Sequence, residues 1–227
     1  MKILALYDIH GNVEALDAVL ADPRAAGADA VVVGGDAVPG PFARHTLDRL
    51  EALDVPVHWV RGNGERELAA AVGAPEPDPD YMVNRTAAIS ATELGDDRAR
   101  ALGGLPLTVE VDGVLFCHAT PRSDEELLTR ISAAERWADA LADVSHPLVV
   151  AGHTHQQDDR VVGDVRFVNA GSVGLPYEGD GVKVFWPDGW VHARVSNTES
   201  MIRVIAEAET PTRARELLDW ARDRLAK

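Results

Sequence analysis

Cysteine is almost absent from this chain of 227 residues: Cys117 stands alone, so no internal disulfide can form and nothing signals adaptation to an oxidising compartment. Long apolar runs are lacking too. No stretch approaches the roughly 20 residues that span a bilayer, and the opening MKILALYD meets an acidic residue too soon for a signal-peptide core. A cytoplasmic location away from membranes is therefore expected. Positive charge is scarce: 22 Lys and Arg against 37 Asp and Glu give a formal net charge of -15. Such a field repels polyanions and argues against binding a nucleic-acid polymer through a basic face. A small phosphorylated substrate survives this objection, because bound divalent metals invert the sign of an acidic site. The composition leaves open whether the chain forms a homo-oligomer.

What is present is ordinary for a globular protein, with 46% hydrophobic and 26% charged residues. The length suits one large domain, expected over 1–227. Lys2 to Tyr7 is a short aliphatic run ending at Asp8, and Val13, Leu16, Val19 and Leu20 then recur at helical spacing. The pattern repeats from Asp29 to Val33, ending in Gly34-Gly35-Asp36, with a helix predicted from about Thr46 to Leu53. It repeats again from Val57 to Val60, ending in Arg61-Gly62-Asn63, with a helix predicted over Glu65 to Val72. Alternating strands and helices imply a mostly parallel sheet.

Gly73 to Asp80 reads as a proline-rich surface loop and Met82 to Leu94 as a helix. From Thr108, TVEV and VLFC around Asp112-Gly113 read as a hairpin that opens a second sheet. Short runs at Leu148 to Ala151, Val161, Phe167, Val182 to Trp186 and Val191 to Val195 continue it. The tail from about Thr198 is expected to be helical, broken at Thr210-Pro211, and packed on the core.

Chemistry gathers where the aliphatic runs end. Asp8 and His10, Asp36, and Asn63 close the first three runs, and open parallel sheets bind ligands beyond their carboxyl strand ends. His118 follows Val114 to Cys117, while His153 and His155 follow Leu148 to Ala151. Imidazole and carboxylate bind zinc, manganese or iron alike. Seven side chains are too many for one tetrahedral ion but suit two ions sharing a carboxylate about 4 Å apart, with Asp36 as the candidate bridge. His58, His146 and His192 are expected to be structural, Cys117 to be buried packing, and Trp186 and Trp190 to pack beside the turn at Pro187 to Gly189.

DIHGN at Asp8 to Asn12, GGD at Gly34 to Asp36, GN at Gly62-Asn63, CHA at Cys117 to Ala119 and GHTH at Gly152 to His155 occur in one order. In this the chain resembles the calcineurin-like metallophosphoesterases over almost its whole length, and Asn169 to Gly174 (NAGSVG) is similar to the segment that follows GHTH in small bacterial members. The resemblance implies a four-layer α/β/β/α sandwich of two mixed sheets flanked by helices. It also implies one ion held by Asp8, His10, Asp36 and His155 and a second held by Asp36, Asn63, His118 and His153. Asp36, Asn63 and His118 then belong to the catalytic centre, and a metal-bridging hydroxide attacks phosphorus in line.

One departure bears on substrate. Many members of the family carry a histidine directly after the motif asparagine, suited to protonating the leaving oxygen, whereas this chain has Gly64. Loss of a positioned acid costs about 10²–10⁴-fold and weighs most on poor leaving groups. A phosphodiesterase acting on a small or nucleotide-like ester is therefore expected, ahead of a dinucleoside polyphosphate hydrolase or a protein phosphatase. Arg44 and His45, in the loop PGPFARH, and Arg122, before a helix start at Ser123 to Glu126, are candidate substrate residues. A different class of reading is a catalytically weak scaffold or interaction module on the same fold.

Overall fold

The computed structural model describes residues 1–75, 82–177, 181–186, 188–195, 202–208 and 210–225. The chain divides into two compact units, Met1–Tyr177 and Glu178–Lys227. The first begins with three parallel strands, β1 (Ile3–Leu6), β2 (Ala30–Val33) and β3 (Val57–Trp59), side by side in that order. Helices α1 (Val13–Leu20), α2 (Ala43–Glu51), α3 (Asn63–Ala71), α4 (Met82–Leu94) and α5 (Asp96–Gly103) belong with this sheet. A second, mixed sheet follows in the order β4-β5-β6-β8-β7, built from β4 (Thr108–Val111), β5 (Val114–Cys117), β6 (Leu148–Ala151), β7 (Asp158–Val162) and β8 (Val165–Asn169). Helix α6 (Ala134–Ala140) lies between β5 and β6 in sequence.

The period-2 alternation of the strands builds the layers. Val31 and Val33 face Leu16, Leu47, Leu50, Leu68 and Ala91 of the helices, while Val32, Ile3 and Ala5 face the other way, against Val111, Phe116 and Val150 of the second sheet. On that sheet Cys117, Val149, Ala151 and Phe167 turn outward to Trp137, Ala140 and Leu141 around α6. The result is helix, sheet, sheet, helix: the four-layer α/β/β/α arrangement. Cys117 is fully buried there, and burial pushes its thiol up, as suits packing rather than nucleophilic attack. His146 pairs with Glu110 at 2.9 Å, a structural contact on the edge of the sheet.

Some boundaries differ from expectation. α2 starts at Ala43, so Arg44 and His45 lie in its first turn rather than in a loop. α3 starts at Asn63, directly at the motif asparagine. Ser123 to Glu126 is no helix start: Thr120 and Ser123 pair as an isolated bridge, and the chain runs on irregularly. The short helices α5 and α6 had no sequence signal strong enough to mark them. Within the loop expected over Gly73 to Asp80, residues 76–80 lie outside the described residues, as does Pro187 of the turn and the side chains of Trp186, Trp190 and His192.

The second unit is an antiparallel sheet in the order β11-β10-β9, from β9 (Gly181–Trp186), β10 (Gly189–Val195) and β11 (Ile202–Ala208), followed by α7 (Pro211–Leu225). Residues 202–208 were expected to be helical. They form a strand because Val204, Ala206 and Ala208 alternate onto one face, where Leu217 and Ala221 of α7 cover them. Pro211 opens α7, and the Thr210 hydroxyl accepts from Arg213 N at 3.2 Å. No helix among the described residues is long and apolar enough to cross a membrane.

Tyr7 joins the two sheets of the first unit. Its ring is 1% exposed and its hydroxyl donates to Val150 O at 2.8 Å, while burial keeps the phenol protonated. Tyr7→Phe is expected to remove this link between the sheets and to cost about 1 kcal/mol, read from denaturant unfolding midpoints.

Candidate metal centre

The ligand-bearing loops are tied to one another through their backbones. Asp8 N donates to Gly35 O at 3.1 Å, His10 N to Asp36 O at 2.9 Å and Gly11 N to Ala37 O at 2.8 Å, so the exits of β1 and β2 run as one. Gly152 N donates to His118 O at 2.8 Å, and His153 N donates to Asp8 Oδ2 at 2.9 Å. The NAGSVG segment closes the ring: Asn169 Nδ2 donates to Gly152 O, and Asp8 O accepts from Gly174 N and the Ser172 hydroxyl.

This stitching holds backbone that side chains rarely adopt. Asp8, His10, Asp36, His153 and His155 all have positive φ, between 50° and 67°. Left-handed backbone outside glycine is uncommon, tolerated best by Asp, Asn and His, and clusters at functional sites. Each of these strand exits therefore turns its side chain toward a common point.

The side chains meet there. Asp8 is fully buried and Asp36 is 3% exposed. Asp8 Oδ1 lies 3.3 Å from His155 Nε2 and 3.9 Å from both His10 Nε2 and His118 Nε2. Asp36 reaches both ways: Oδ2 is 3.7 Å from His10 Nε2, and Oδ1 is 3.5 Å from His118 Nε2. His118 Nε2 is 3.3 Å from Asn63 Oδ1, and the His118 and His153 rings lie edge to face, 5.0 Å apart. All seven expected ligands thus share one cluster.

Its donor chemistry fits a cation. His155 Nδ1 donates to Leu175 O at 2.7 Å and His118 Nδ1 to Gly34 O at 3.0 Å. A carbonyl only accepts, so the proton sits on Nδ1 and Nε2 is left with a lone pair facing the cluster. His155 Nε2 also stands 3.1 Å from His10 Nε2. Asp8 Oδ1 is buried with no hydrogen bond of its own. Groups such as Asp8, His10 and His155, or Asp8, Asp36 and His118, each place three ligand atoms within 4.8 Å of one another. An orphaned carboxylate oxygen amid imidazole lone pairs is costly unless a cation takes them.

The charges of the cluster act strongly on one another. Burial would raise the Asp8 carboxyl, but the imidazoles of His155, His118 and His10 hold it below its ordinary value. Burial lowers His10 and His153, keeping both neutral and able to ligate. Burial also acts on His118 and His155, yet there the carboxylates win: Asp36 and Asp8 raise His118, and Asp8 raises His155.

Glu65 did not stand out in the sequence. It is 1% exposed and accepts from Asp36 N at 2.9 Å, Gly62 N at 2.8 Å and Val38 N at 3.3 Å, clamping the β2 and β3 exits together. Its position two residues after Asn63, opening an otherwise ordinary amphipathic helix, was the one signal available.

Gly64 also acquires a reason. Its N–H donates to Asp36 Oδ1 at 2.7 Å, and a Cβ there would lie 2.6 Å from Val38 O and 2.8 Å from Asp36 Oδ1. A side chain at this start of α3 would force Val38 O and Asp36 to shift. Of the remaining candidates, Arg44 and His45 are exposed, with His45 edge-on to Phe42 at 6.4 Å. The Arg122 guanidinium is committed to Glu126 at 2.7 Å and Asp139 at 2.8 Å, and so braces its loop rather than offering a free phosphate clamp.

Two outcomes follow. Gly64→His is expected to displace Asp36 and to lower both the metal content of the purified protein and its melting temperature, read by elemental analysis and calorimetry. For Glu65, burial and the Asp36 carboxylate push its pKa from an ordinary 4.5 to about 7. A carboxyl raised in the fold contributes its stability below the unfolded value and loses it as pH rises through the folded one. In metal-free protein the unfolding free energy is expected to fall between about pH 5 and pH 8, and Glu65→Gln to flatten that fall. Denaturant midpoints over the pH series measure the difference.

Comparison with known proteins is consistent with this geometry. Residues 1–186 match the family model of the calcineurin-like phosphoesterase superfamily domain. A hypothetical protein of Pyrococcus horikoshii superposes with a TM-score of 0.65 at 17% identity, covering 97% of this chain and 93% of that one. A metallophosphoesterase from Sphaerobacter thermophilus does so with a TM-score of 0.60 at 23% identity, covering 97% and 94%. At such identity these two show the shared fold. A different likeness is local: a probable phosphoglucosamine mutase of Methanopyrus kandleri is 58% identical over 40 residues, and a phosphoglucomutase/phosphomannomutase of Thermococcus kodakarensis is 48% identical over 40. Each stretch is 18% of this chain and 9% of the mutase, so the chain spans under a tenth of the curated relatives it matches. With the family model running from the first strand through β9, the chain belongs to the calcineurin-like phosphoesterase superfamily.

Proposed function

We propose that this phosphoesterase is a phosphodiesterase acting on a small, nucleotide-like ester. Two divalent ions would be held by Asp8, His10, Asp36 and His155 and by Asp36, Asn63, His118 and His153. The observation that carries the reading is the orphaned, buried Asp8 Oδ1 amid the Nε2 atoms of His10, His118 and His155. When bound, such ions polarise phosphoryl oxygens and neutralise the charge that develops on them. Manganese, iron and zinc all suit this donor set.

The chain's own groups do the positioning. Leu175 O and Gly34 O fix the tautomers of His155 and His118, so their Nε2 atoms stay aimed at the cluster. Glu65 holds the Asp36 and Asn63 loops at one spacing. Gly64 offers no proton to a departing oxygen, which favours substrates with good leaving groups over seryl phosphates. A scaffold has no use for so many polar groups aimed at one buried point, and this weighs against the interaction-module reading.

With added manganese, hydrolysis of bis(p-nitrophenyl) phosphate is expected to exceed that of p-nitrophenyl phosphate, and Asp36→Asn to lower it by at least about 100-fold. No metal-dependent turnover of either ester would sink the reading. A panel of nucleoside diesters and seryl phosphates separates a phosphodiesterase from a protein phosphatase.

A further inference from the structure

Tyr177 is the last residue of the first unit and one of its most exposed large side chains, at 62%. It is nonetheless held in place. Its N–H donates to His155 O at 3.2 Å, and its ring lies over the His155 imidazole at 4.7 Å between centroids, tilted by 31°. With Leu175 O on Nδ1, the segment from Leu175 to Tyr177 wraps the outer side of His155, which is only 7% exposed. One face of the phenol ring therefore backs onto a candidate ligand and the rest of the ring meets solvent. Among the described residues its hydroxyl makes no hydrogen bond.

Among the described residues Phe42 is the other exposed aromatic, at 47%. Its backbone is tied to the loop that carries His10: Phe42 N donates to Gly11 O at 3.1 Å. Among the described residues, Tyr177 is thus an exposed ring held directly against the His10–His155 pair. An exposed ring with a fixed pose forfeits burial but gains little rotational freedom, which is the economy of a stacking platform.

We infer that Tyr177 is the platform that holds the flat ring of a nucleobase while its phosphate ester lies at the metal cluster. The inference rests on the phosphodiesterase reading and names its substrate class as nucleoside esters. Stacking tolerates any base because every base has a π-face, so the platform selects for a base without selecting which one.

Two measurements test it. In manganese-loaded protein, titration calorimetry is expected to show thymidine 5′-phosphate binding more tightly than inorganic phosphate. Tyr177→Leu is expected to erase about tenfold of that preference, and Tyr177→Trp to retain it. In turnover, the ratio of kcat/KM for p-nitrophenyl thymidine 5′-phosphate over methyl p-nitrophenyl phosphate is expected to fall about tenfold in Tyr177→Leu. Equal loss on both esters would mean that Tyr177 acts only by packing on His155, and would overturn the inference. So would a parent protein that binds the nucleotide no better than phosphate. Nucleotide preference lost in Tyr177→Leu without any turnover would uphold the platform while removing the phosphodiesterase reading.

Discussion

Everything in the first unit is arranged around the burial of one carboxylate. Asp8 is fully buried, and a buried charge is tolerated only when paired or bound. One of its oxygens takes the His153 N–H; its carbonyl takes Gly174 N and Ser172; its own N–H goes to Gly35. Three strand exits and the NAGSVG segment are thereby locked about a single residue, with only Oδ1 left unsatisfied. The sheet sandwich serves this node. Val32, Ile3, Ala5 and Phe116 press the two sheets together, and Tyr7 pins the faces one residue before Asp8.

Much of this was legible beforehand because strands and ligands follow local rules. The alternation of Val31, Val32 and Val33 between two cores is a period-2 pattern, and polar residues at strand exits are what a parallel sheet exposes to a ligand. The hairpin at Asp112-Gly113 was readable from its turn chemistry. Residues 202–208 misled because IRVIAEA joins helix-forming and strand-forming residues, and pairing with β10 outweighed propensity. The start of α2 moved to Ala43 for a similar reason: Phe42, its N-cap, offers no side-chain hydrogen bond for the eye to find.

The centre was legible in its membership but not in its mechanics. Residue types pointed to seven candidate donors, which the fold brings into one cluster; they could not announce the left-handed backbone that aims five of them, since φ is fixed by hydrogen bonds between loops far apart in sequence. Glu65 escaped for the same reason, its partners being the N–H groups of Gly62, Asp36 and Val38. Arg122 looked like a phosphate clamp because its nearness to His118 in sequence says nothing of Glu126 and Asp139, which neutralise it. Gly64 read as a missing acid, yet the space around it shows a glycine required by Asp36 and Val38 O.

The positive φ values also bear on how such a centre could decay. At Asp8, His10, Asp36, His153 and His155 the backbone bends in a way that β-branched or bulky residues tolerate poorly and that Gly, Asn and Asp accept. Descendants that abandoned catalysis would be free to discard the ligands but not the bends. Their substitutions at these five positions would be drawn toward glycine and asparagine, so the loops would keep the outline of the centre long after its chemistry had gone.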